Sequence, residues 1–184
     1  MRTLVDHIFE LVQNSINAKA QKIRVVVEED ARNNSFKIVI EDDGQGIKPE
    51  HLSRIKNAFF TTQPHNKRRV GLGLSLMDAA CQQSGGTLTI ESEYRHGTVV
   101  TAAMEHDHVD RPPLGDLPDL FASLILSTQD NKVLWTLEHV VNGRGYCLRN
   151  RATADELNIL SYTEPGAREK LYHLIVKKER ELHH

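Results

Sequence analysis

The first helix-like stretch of this chain carries polar side chains whose spacing could serve phosphate chemistry. Glu10, Asn14 and Asn17 are spaced i, i+4 and i+7 in "ELVQNSINAKA", so a helix would place all three on one face. The amide oxygen of Asn14 is a hard ligand of the kind that Mg²⁺ prefers, and the carboxylate of Glu10 could accept a proton. A solvated polar face is the alternative, and spacing alone does not exclude it.

A second stretch could bind a flat ligand. "EDDGQGI" (41–47) places Asp42 directly after an apolar run, followed by Gly44 and Gly46, and glycines let a backbone approach a ligand closely. The carboxylate could accept a hydrogen bond from the exocyclic amine of a purine. The alternative is an acidic turn that ends a strand.

The stretch "RRVGLGLSLM" could bind phosphate. Gly71 and Gly73 stand before a helix-like pattern, and the first N–H groups of a helix have no partners within it and favour an anion. Lys67 and Arg69 would add positive charge beside that anion. A glycine pair can also be a tight turn, but three such stretches in this order favour a nucleotide site.

Periodicity predicts the elements that would position these residues. Thr3 and Asp6 fit a capping box at the start of a first helix, whose apolar residues recur at helical spacing. The following elements are predicted in chain order: strands at 22–29 and 35–42, a short helix opened by Pro49, an aperiodic stretch at 61–70, a helix at about 74–83, and a hairpin of 87–93 and 97–104. This order predicts an α+β fold in which a mixed sheet is covered by helices on one face.

A change in composition predicts a domain boundary. Three prolines and a glycine interrupt both periodicities in 105–118, as in linkers, so we expect a first domain at 1–106, a linker at 107–118 and a small α/β unit at 119–184. In that unit Asn142-Gly143 predicts a hairpin. Helices are expected at about 119–127 and 165–182, and the core is expected to contain Leu134, Trp135, Leu137 and Val140. A hairpin is marginally stable alone, so the unit should pack on the first domain, on a second copy or on a partner.

Composition limits the classes of partner. The net charge of −2 gives no reason to expect nucleic acid or an anionic membrane as the main partner. No apolar run is long enough to span a bilayer, and Cys81 and Cys147 lack metal-ligand spacing. We therefore expect a cytoplasmic protein without a nucleic-acid or membrane partner.

A series of ordered motifs resembles the GHKL ATPases, the superfamily of gyrase, histidine kinases and mismatch-repair ATPases. "ELVQNSINAKA" resembles their asparagine box, "DDGQGI" the first glycine box, "AFFTT" (58–62) the phenylalanine box and "GLGLS" (71–75) the second glycine box, with "GG" at 85–86 and "GT" at 97–98. The resemblance covers about residues 3–104. It implies the Bergerat fold, an α/β sandwich that binds ATP with Mg²⁺ under a mobile lid.

The resemblance also implies a role for each matching residue. Asp42 would bind the adenine amine, Asn14 would bind Mg²⁺, and Glu10 would orient or activate the attacking water or hydroxyl. Residues 61–70 would form the lid. Further ATP contacts are implied for residues of these boxes and the lid: Asn17, Gly44, Gly46, Ile47, Phe60, Thr61, Thr62, Lys67, Arg69, Gly71, Leu72, Gly73, Leu74 and Thr98.

Three functions stay open from the sequence. The first is a protein kinase of the histidine-kinase or anti-sigma serine-kinase type that phosphorylates another protein, because nine residues precede Glu10 and no phosphoacceptor unit is expected there. In this interpretation His7 is a surface histidine rather than the acceptor. The second function is a slow ATPase that acts as a nucleotide-driven switch, and the third is a binding-only ATP sensor. The partner or acceptor protein is not identified, and a homodimer stays open.

Overall fold

The structure is a computed structural model in which residues 3–52, 55, 72–127, 133–157 and 161–183 are described. The helices are α1 Leu4–Asn17, α2 Leu72–Gln83, α3 Leu117–Leu126, α4 Asn150–Leu157 and α5 Ala167–Leu182. The strands are β1 Lys22–Asp30, β2 Ser35–Asp42, β3 Thr87–Glu93, β4 Gly97–Glu105, β5 Leu134–Val141 and β6 Arg144–Arg149. Residues 49–52 are also helical, while the predicted stretch at 61–70 lies outside the described residues. Within the described ranges, none of the helices is both long and apolar enough to cross a bilayer.

The strands form one six-stranded sheet in the order β3-β4-β2-β1-β5-β6. Neighbouring strands are antiparallel, except that β1 and β5 run parallel with Ile23 opposite Trp135. The sheet is therefore mixed, as the order of elements predicts.

One face of the sheet carries the core. In β1, Ile23, Val25 and Val27 are buried, whereas Arg24 and Glu28 are exposed, because alternate side chains of a strand point to opposite faces. The buried strand residues form one apolar cluster with residues of α1, α2, α3 and α5. The prediction of helices covering one face of a mixed sheet is confirmed.

The helix α1 begins where the sequence predicts. The Thr3 hydroxyl accepts a hydrogen bond from the Asp6 N–H at 3.3 Å, and the Asp6 carboxylate accepts one from the Thr3 N–H at 3.1 Å, which completes the capping box. The N–H groups of residues 4–5 donate to the carbonyls of Pro113 and Leu114, both at 2.9 Å. The predicted linker is thus hydrogen-bonded to the start of the helix that carries the predicted catalytic carboxylate.

The predicted C-terminal hairpin extends the sheet of the predicted first domain. The strands β5 and β6 meet at Asn142-Gly143, as expected, and β5 pairs with β1 along its length. Trp135 and Leu137 are buried in the common core. Leu134, which was expected in that core, is 55% exposed, because it precedes Trp135 by one residue and so points to the other face.

Asn150 fixes the start of β5 to α4, a helix that the sequence did not predict. Its Oδ1 accepts a hydrogen bond from the Trp135 N–H at 2.6 Å, and its Nδ2 donates to the Val133 carbonyl at 2.8 Å. Asn150 is buried, so its amide supplies partners to backbone groups that water does not reach.

A buried charged cluster holds α5 to the sheet. His139 on β5 is 1% exposed, with Nδ1 2.9 Å from Glu179 Oε1 on α5 and Nε2 3.1 Å from Glu29 Oε1 on β1. Burial lowers the pKa of His139, but the hydrogen bonds to the two carboxylates outweigh it and raise the pKa to about 9. The Tyr146 hydroxyl also donates to Glu179. An imidazolium therefore joins two strands and a helix at neutral pH.

Candidate functional site

Asp42, the last residue of β2, is held in one orientation by two hydrogen bonds. Its Oδ2 accepts a hydrogen bond from the Ser15 hydroxyl at 2.7 Å, and its Oδ1 accepts one from the Gly44 N–H at 2.9 Å. Ser15 and Gly44 are both buried, so the fold fixes both donors. A carboxylate has about four lone-pair sites, so Asp42 can accept a further hydrogen bond from a ligand amine without turning.

The chain after β2 is pressed against the end of α1. The Gln45 N–H donates to the Ala18 carbonyl at 2.9 Å, and a Cβ on Gly44 would lie 2.9 Å from the same oxygen. Only glycine lets the two segments approach this closely. Asp43 Oδ1 accepts hydrogen bonds from the N–H groups of Gln21 and Lys22, at 2.7 and 2.8 Å, and so joins the beginning of β1 to the end of β2.

The turn between β3 and β4 encloses the other side of this segment. Gly46 has a φ of +62°, and a Cβ there would lie 2.0 Å from the Glu93 carbonyl oxygen. The Arg95 N–H donates to the Gln45 carbonyl at 2.8 Å. The segment after Asp42 is therefore held between α1 and the β3–β4 hairpin.

A hydroxyl pair connects the hairpin to Asp42. The Ile47 N–H donates to Ser92 Oγ at 2.9 Å, and Ser92 Oγ lies 2.9 Å from Thr98 Oγ1. Thr98 stands opposite Asp42 in the ladder between β2 and β4. Asp42, Ile47 and Thr98 thus meet at one end of the sheet, as a single binding site requires.

The polar face of α1 lies beside the start of α2. Glu10, Asn14 and Asn17 are all exposed, as the helical spacing predicts. A Cβ on Gly73 would lie 3.1 Å from the Glu10 Cβ, and α2 begins one residue earlier, at Leu72. The Cβ of Glu10 is therefore next to a helix N-terminus, where unpaired N–H groups favour an anion.

The structure brings the described members of the predicted site into two adjacent groups. They are named by the roles that the sequence predicts for them: the base-side group contains Asp42, Gly44, Gly46, Ile47 and Thr98, and the phosphate-side group contains Glu10, Asn14, Asn17, Leu72, Gly73 and Leu74. α1 connects the groups, since its end contacts the first and its exposed face belongs to the second. The other predicted residues lie outside the described residues: Phe60, Thr61, Thr62, Lys67, Arg69 and Gly71.

Two hydroxyl residues of the site were not predicted from the sequence. Ser15 is a polar residue on the buried stripe of α1, and a hydroxyl among apolar side chains is a signal that a buried partner exists. Ser92 alternates along β3 like any half-buried strand residue, so the sequence carries no signal for its role.

The expectation that His7 lies at the surface is wrong. His7 is 5% exposed, because it shares the face of Leu4, three residues before it, and of Leu11, four residues after it, and both are buried. Burial lowers the pKa of His7. Its Nδ1 has no hydrogen-bond partner within the described ranges. A neutral, buried imidazole is a poor candidate for a phosphoacceptor.

Comparison with known proteins gives one family and several relatives. The sequence model of the family described as histidine kinase-, DNA gyrase B-, and HSP90-like ATPase matches residues 2–108. The chain is 32% identical over 105 residues to histidine protein kinase DivJ of Caulobacter vibrioides, a match to 56% of this chain and 18% of DivJ. It is 58% identical over 43 residues to DNA mismatch repair protein MutL of Carboxydothermus hydrogenoformans, a match to 23% of this chain and 7% of that MutL. The matched parts are thus less than a fifth of either relative.

A solved structure shares the fold. The N-terminal domain of a DNA repair protein aligns with 91% of this chain and 58% of its own length, with a TM-score of 0.52 and 17% sequence identity. At this identity the likeness concerns the fold alone. It extends beyond residues 2–108, because 91% of the chain includes much of the C-terminal half.

Proposed function

Because the chain belongs to the histidine kinase-, DNA gyrase B- and HSP90-like ATPases, we propose that it binds Mg-ATP and transfers the γ-phosphate to a separate protein. One observation carries the proposal. A carboxylate held by two fixed donors, Asp42, stands at the end of the sheet, and a second carboxylate, Glu10, stands beside the N-terminus of α2. The Asp42 carboxylate can accept a hydrogen bond from an amine of a base, and the Glu10 carboxylate can accept a proton from a nucleophile.

Asp42 recognises the base in this proposal. The exocyclic amine of adenine donates to the carboxylate, whose orientation Ser15 and Gly44 already fix, so little ordering is needed on binding. Gly44 and Gly46 lack side chains on the backbone that borders the base. Ile47 and Thr98 border it from the hairpin side.

The start of α2 receives the phosphates in this proposal. The N–H groups of Gly71, Leu72, Gly73 and Leu74 supply donors for the phosphate oxygens. Asn14 fits an Mg²⁺ site, since its exposed amide lies one turn from Glu10 on the same face and Mg²⁺ takes one or two protein oxygens beside phosphate and water. The further proposed ATP contacts are Asn17, Phe60, Thr61, Thr62, Lys67 and Arg69.

Glu10 handles the proton in the transfer step. The acceptor oxygen or nitrogen forms a bond to the γ-phosphorus, the bond to the β,γ-bridging oxygen breaks, and ADP leaves with that electron pair. A hydroxyl acceptor gives its proton to the Glu10 carboxylate. Glu10 is exposed and borders an open groove, so a side chain of another protein can reach it. The similarity to part of DivJ, a protein named as a histidine protein kinase, supports the same reaction.

A slow ATPase that works as a conformational switch is the second candidate. It is supported by the hydrogen bonds between the linker carbonyls and the start of α1, which connect the helix that carries Glu10 to the C-terminal half. In either case we propose a cytoplasmic protein with a protein partner. That partner is either a different protein or a second copy of this chain.

The fate of the γ-phosphate tests the proposal. Purified protein is incubated with γ-labelled Mg-ATP, alone and with candidate acceptor peptides, and bound ATP, free phosphate and protein-bound label are measured. Asp42→Asn should weaken ATP binding roughly 10- to 100-fold, the equivalent of a hydrogen bond to a charged group. Glu10→Gln should keep ATP bound and lower turnover about 100-fold or more.

Glu28→Gln is the matched control, because Glu28 is an exposed carboxylate on the opposite face of the sheet. Wild-type affinity for ATP in Asp42→Asn would contradict the base site. Phosphate release without transfer to any acceptor would favour the switch over the kinase.

A further inference from the structure

The face of the sheet opposite the core, which we call the open face, presents both charged and apolar side chains. Its residues alternate with the core residues along each strand. In the two central strands it consists of Arg24, Val26 and Glu28 of β1 and Lys37, Val39 and Glu41 of β2. The same alternation places Leu134, which is 55% exposed, on this face.

The charges on the open face change sign across the sheet. The strand registers align one row of residues that crosses all six strands, in the order from β3 to β6: Glu91, Val99, Glu41, Arg24, Thr136 and Arg149. The acidic residues of this row lie on β3 and β2, and its basic residues lie on β1 and β6. One half of the row is therefore negative and the other half is positive.

The centre and the ends of this row differ in how their charges are satisfied. Arg24 pairs with Glu138 at 2.9 Å and with Glu41 at 3.6 Å, so the central charges have partners within the chain. Glu91 and Arg149 are exposed, and neither makes an ion pair with another residue that the structure describes. The Cys147 thiol beside Arg149 is not an anion at neutral pH. The two ends of the row are thus available to a partner.

The strand order makes this charge pattern complementary to itself. The order β3-β4-β2-β1-β5-β6 places the midline of the sheet between β2 and β1. A two-fold axis parallel to the strands at this midline would bring β3 opposite β6, β4 opposite β5 and β2 opposite β1 of a second copy. Glu91 would then face Arg149 of the second copy, twice in the dimer. A two-fold axis across the strands would bring each strand opposite itself, and like charges would meet.

The neighbouring rows fit the same arrangement. Val26 is opposite Val39 in the ladder between β1 and β2, so the axis would bring each of these valines onto the other at the centre of the interface. Two residues further along, Glu28 is opposite Lys37, and each would face the other in the second copy. An apolar centre with a polar rim is the usual anatomy of a protein interface.

The open face also has the area that a dimer needs. Six strands of 6 to 9 residues, spaced about 4.8 Å apart with about 3.3 Å per residue, cover about 750 Å². Each partner in an interface of standard size buries about 800 Å². Two sheets that pack face to face in this way are aligned to within about 30°, so the facing rows stay in register near the axis.

We propose that this protein forms a two-fold dimer through the open face, in which the acidic edge of each sheet, at Glu91, pairs with the basic edge, at Arg149, of the second copy. The dimer forms without nucleotide. The helices lie on the other side of the sheet, so Glu10 and Asn14 stay outside the interface in both copies.

Sedimentation velocity of the full chain without nucleotide tests the proposal. The wild type should form dimers, and the dissociation constant should rise between low and high salt, because salt screens exposed charges. Glu91→Arg and Arg149→Glu should each weaken association at least about tenfold, since each changes two attractive contacts of the symmetric dimer into two repulsive ones.

A mixture of the two variants is the sharper measurement. In a mixed dimer of Glu91→Arg with Arg149→Glu, both edge contacts again join an arginine to a glutamate, so the mixture should dimerise although neither variant does so alone. Lys177→Glu is the matched control, because Lys177 is an exposed cation on α5, on the helix side of the sheet, and its reversal should leave the dimer unchanged. Circular dichroism checks that the variants are folded.

Cross-linking gives a second readout that reverses no charge. The row of Val26 and Val39 ends at Cys147 on β6 and at Thr89 on β3, so Thr89→Cys would place a thiol opposite Cys147 of the second copy. Within one chain the two positions are about 24 Å apart, across five strand spacings. A bis-maleimide with a reach of about 15 Å, which exceeds the separation of packed sheets, should therefore join different copies of Thr89→Cys. It should leave the wild type uncoupled, since Cys147 is exposed and Cys81 is buried.

Three results would overturn the proposal: a wild type that stays monomeric at all concentrations, a dimer that neither reversal weakens, or a mixture that associates no more tightly than its components. Equal cross-linking of the wild type and Thr89→Cys would assign the dimer to another surface and also overturn it. Failure of ATP binding is a separate outcome, because all these measurements are made without nucleotide. It would refute the proposed function and leave the dimer in place.

Discussion

Replacing Gly46 with alanine should weaken both the fold and ATP binding, whereas the same replacement at Gly143 should weaken the fold only slightly. The two glycines share a left-handed backbone, with φ of +62° and +81°. They differ in what surrounds them. A Cβ on Gly46 would lie 2.0 Å from the backbone oxygen of Glu93, while nothing lies within 4 Å of a Cβ on Gly143.

The expected magnitudes follow from this difference. An alanine in the left-handed region costs about 1–2 kcal/mol, and Gly143→Ala should lose only this amount. At Gly46 the Glu93 carbonyl must also retreat by about 1 Å to reach contact distance, and overpacking of this kind costs about 1–3 kcal/mol more. We therefore expect Gly46→Ala to lose about 2–5 kcal/mol of unfolding free energy.

The displacement also acts on the candidate site. The turn between β3 and β4 is held to the segment after Asp42 by the hydrogen bond from the Arg95 N–H to the Gln45 carbonyl. Moving that turn separates Thr98 from Asp42, and ATP affinity should fall at least about tenfold, since 1.4 kcal/mol of lost contact is sufficient.

Urea unfolding and ATP titration measure the two effects on the same samples. Trp135, the single tryptophan of the chain, is 1% exposed, so its fluorescence reports unfolding. Equal unfolding free energies for Gly46→Ala and Gly143→Ala, together with wild-type ATP affinity in both, would refute the reasoning. The contact between Gly46 and the hairpin would then not be part of the site.

Three further substitutions have defined outcomes. Ser15→Ala removes one donor to Asp42, and by titration ATP binding should weaken about tenfold. In His139→Gln the alkaline loss of stability should disappear. In the wild type the pKa of His139 is raised from 6.5 to about 9. Its contribution of about 3 kcal/mol to the free energy of unfolding is therefore complete below pH 6.5 and is lost as the pH rises through 9. Urea midpoints measured from about pH 6 to about pH 10 would follow this loss. Asn150→Ala removes the side-chain partners of two buried backbone groups and should cost about 2–4 kcal/mol in urea unfolding.

Each of these expectations can fail separately. Unchanged ATP affinity in Ser15→Ala would mean that Gly44 alone orients Asp42. A His139→Gln midpoint that falls with pH as steeply as that of the wild type would assign the alkaline transition to another group. A loss below about 1 kcal/mol in Asn150→Ala would mean that water replaces the amide.

Local signals predicted most helices and strands to within about two residues. The capping box of Thr3 and Asp6 and the turn at Asn142-Gly143 are formed by residues adjacent in sequence, and both are present as expected. Such features depend on a few neighbouring residues, so the sequence alone is sufficient to place them.

The pairing of distant segments was not predictable in the same way. The parallel pairing of β1 with β5 joins residues more than 100 positions apart, and no local pattern specifies it. The same holds for the bond from Ser15 to Asp42, which spans 27 positions. The wrong placement of Leu134 in the core has another cause. The residues on both sides of Leu134 are apolar, so the sequence does not show which of them face the core.

For the candidate site, the motifs predicted which residues take part but not how they are held. The resemblance placed Asp42, Gly46 and Thr98 in one site, and they meet in the structure. It did not predict that Ser92 connects them, because that role depends on the register of β3 against β4.

The arrangement of α1 explains why the C-terminal half should matter to the ATPase half. The end of α1 is hydrogen-bonded to Gln45 of the base-side segment, and its beginning to the linker carbonyls of Pro113 and Leu114. A Cβ on Gly115 would also lie 2.9 Å from the Thr3 Cβ, so the linker and the cap are in close contact. Packed interiors transmit displacement instead of absorbing it. A shift of α1 on nucleotide binding would therefore move the linker and α3 with it, and would change the width of the groove that the two helices form.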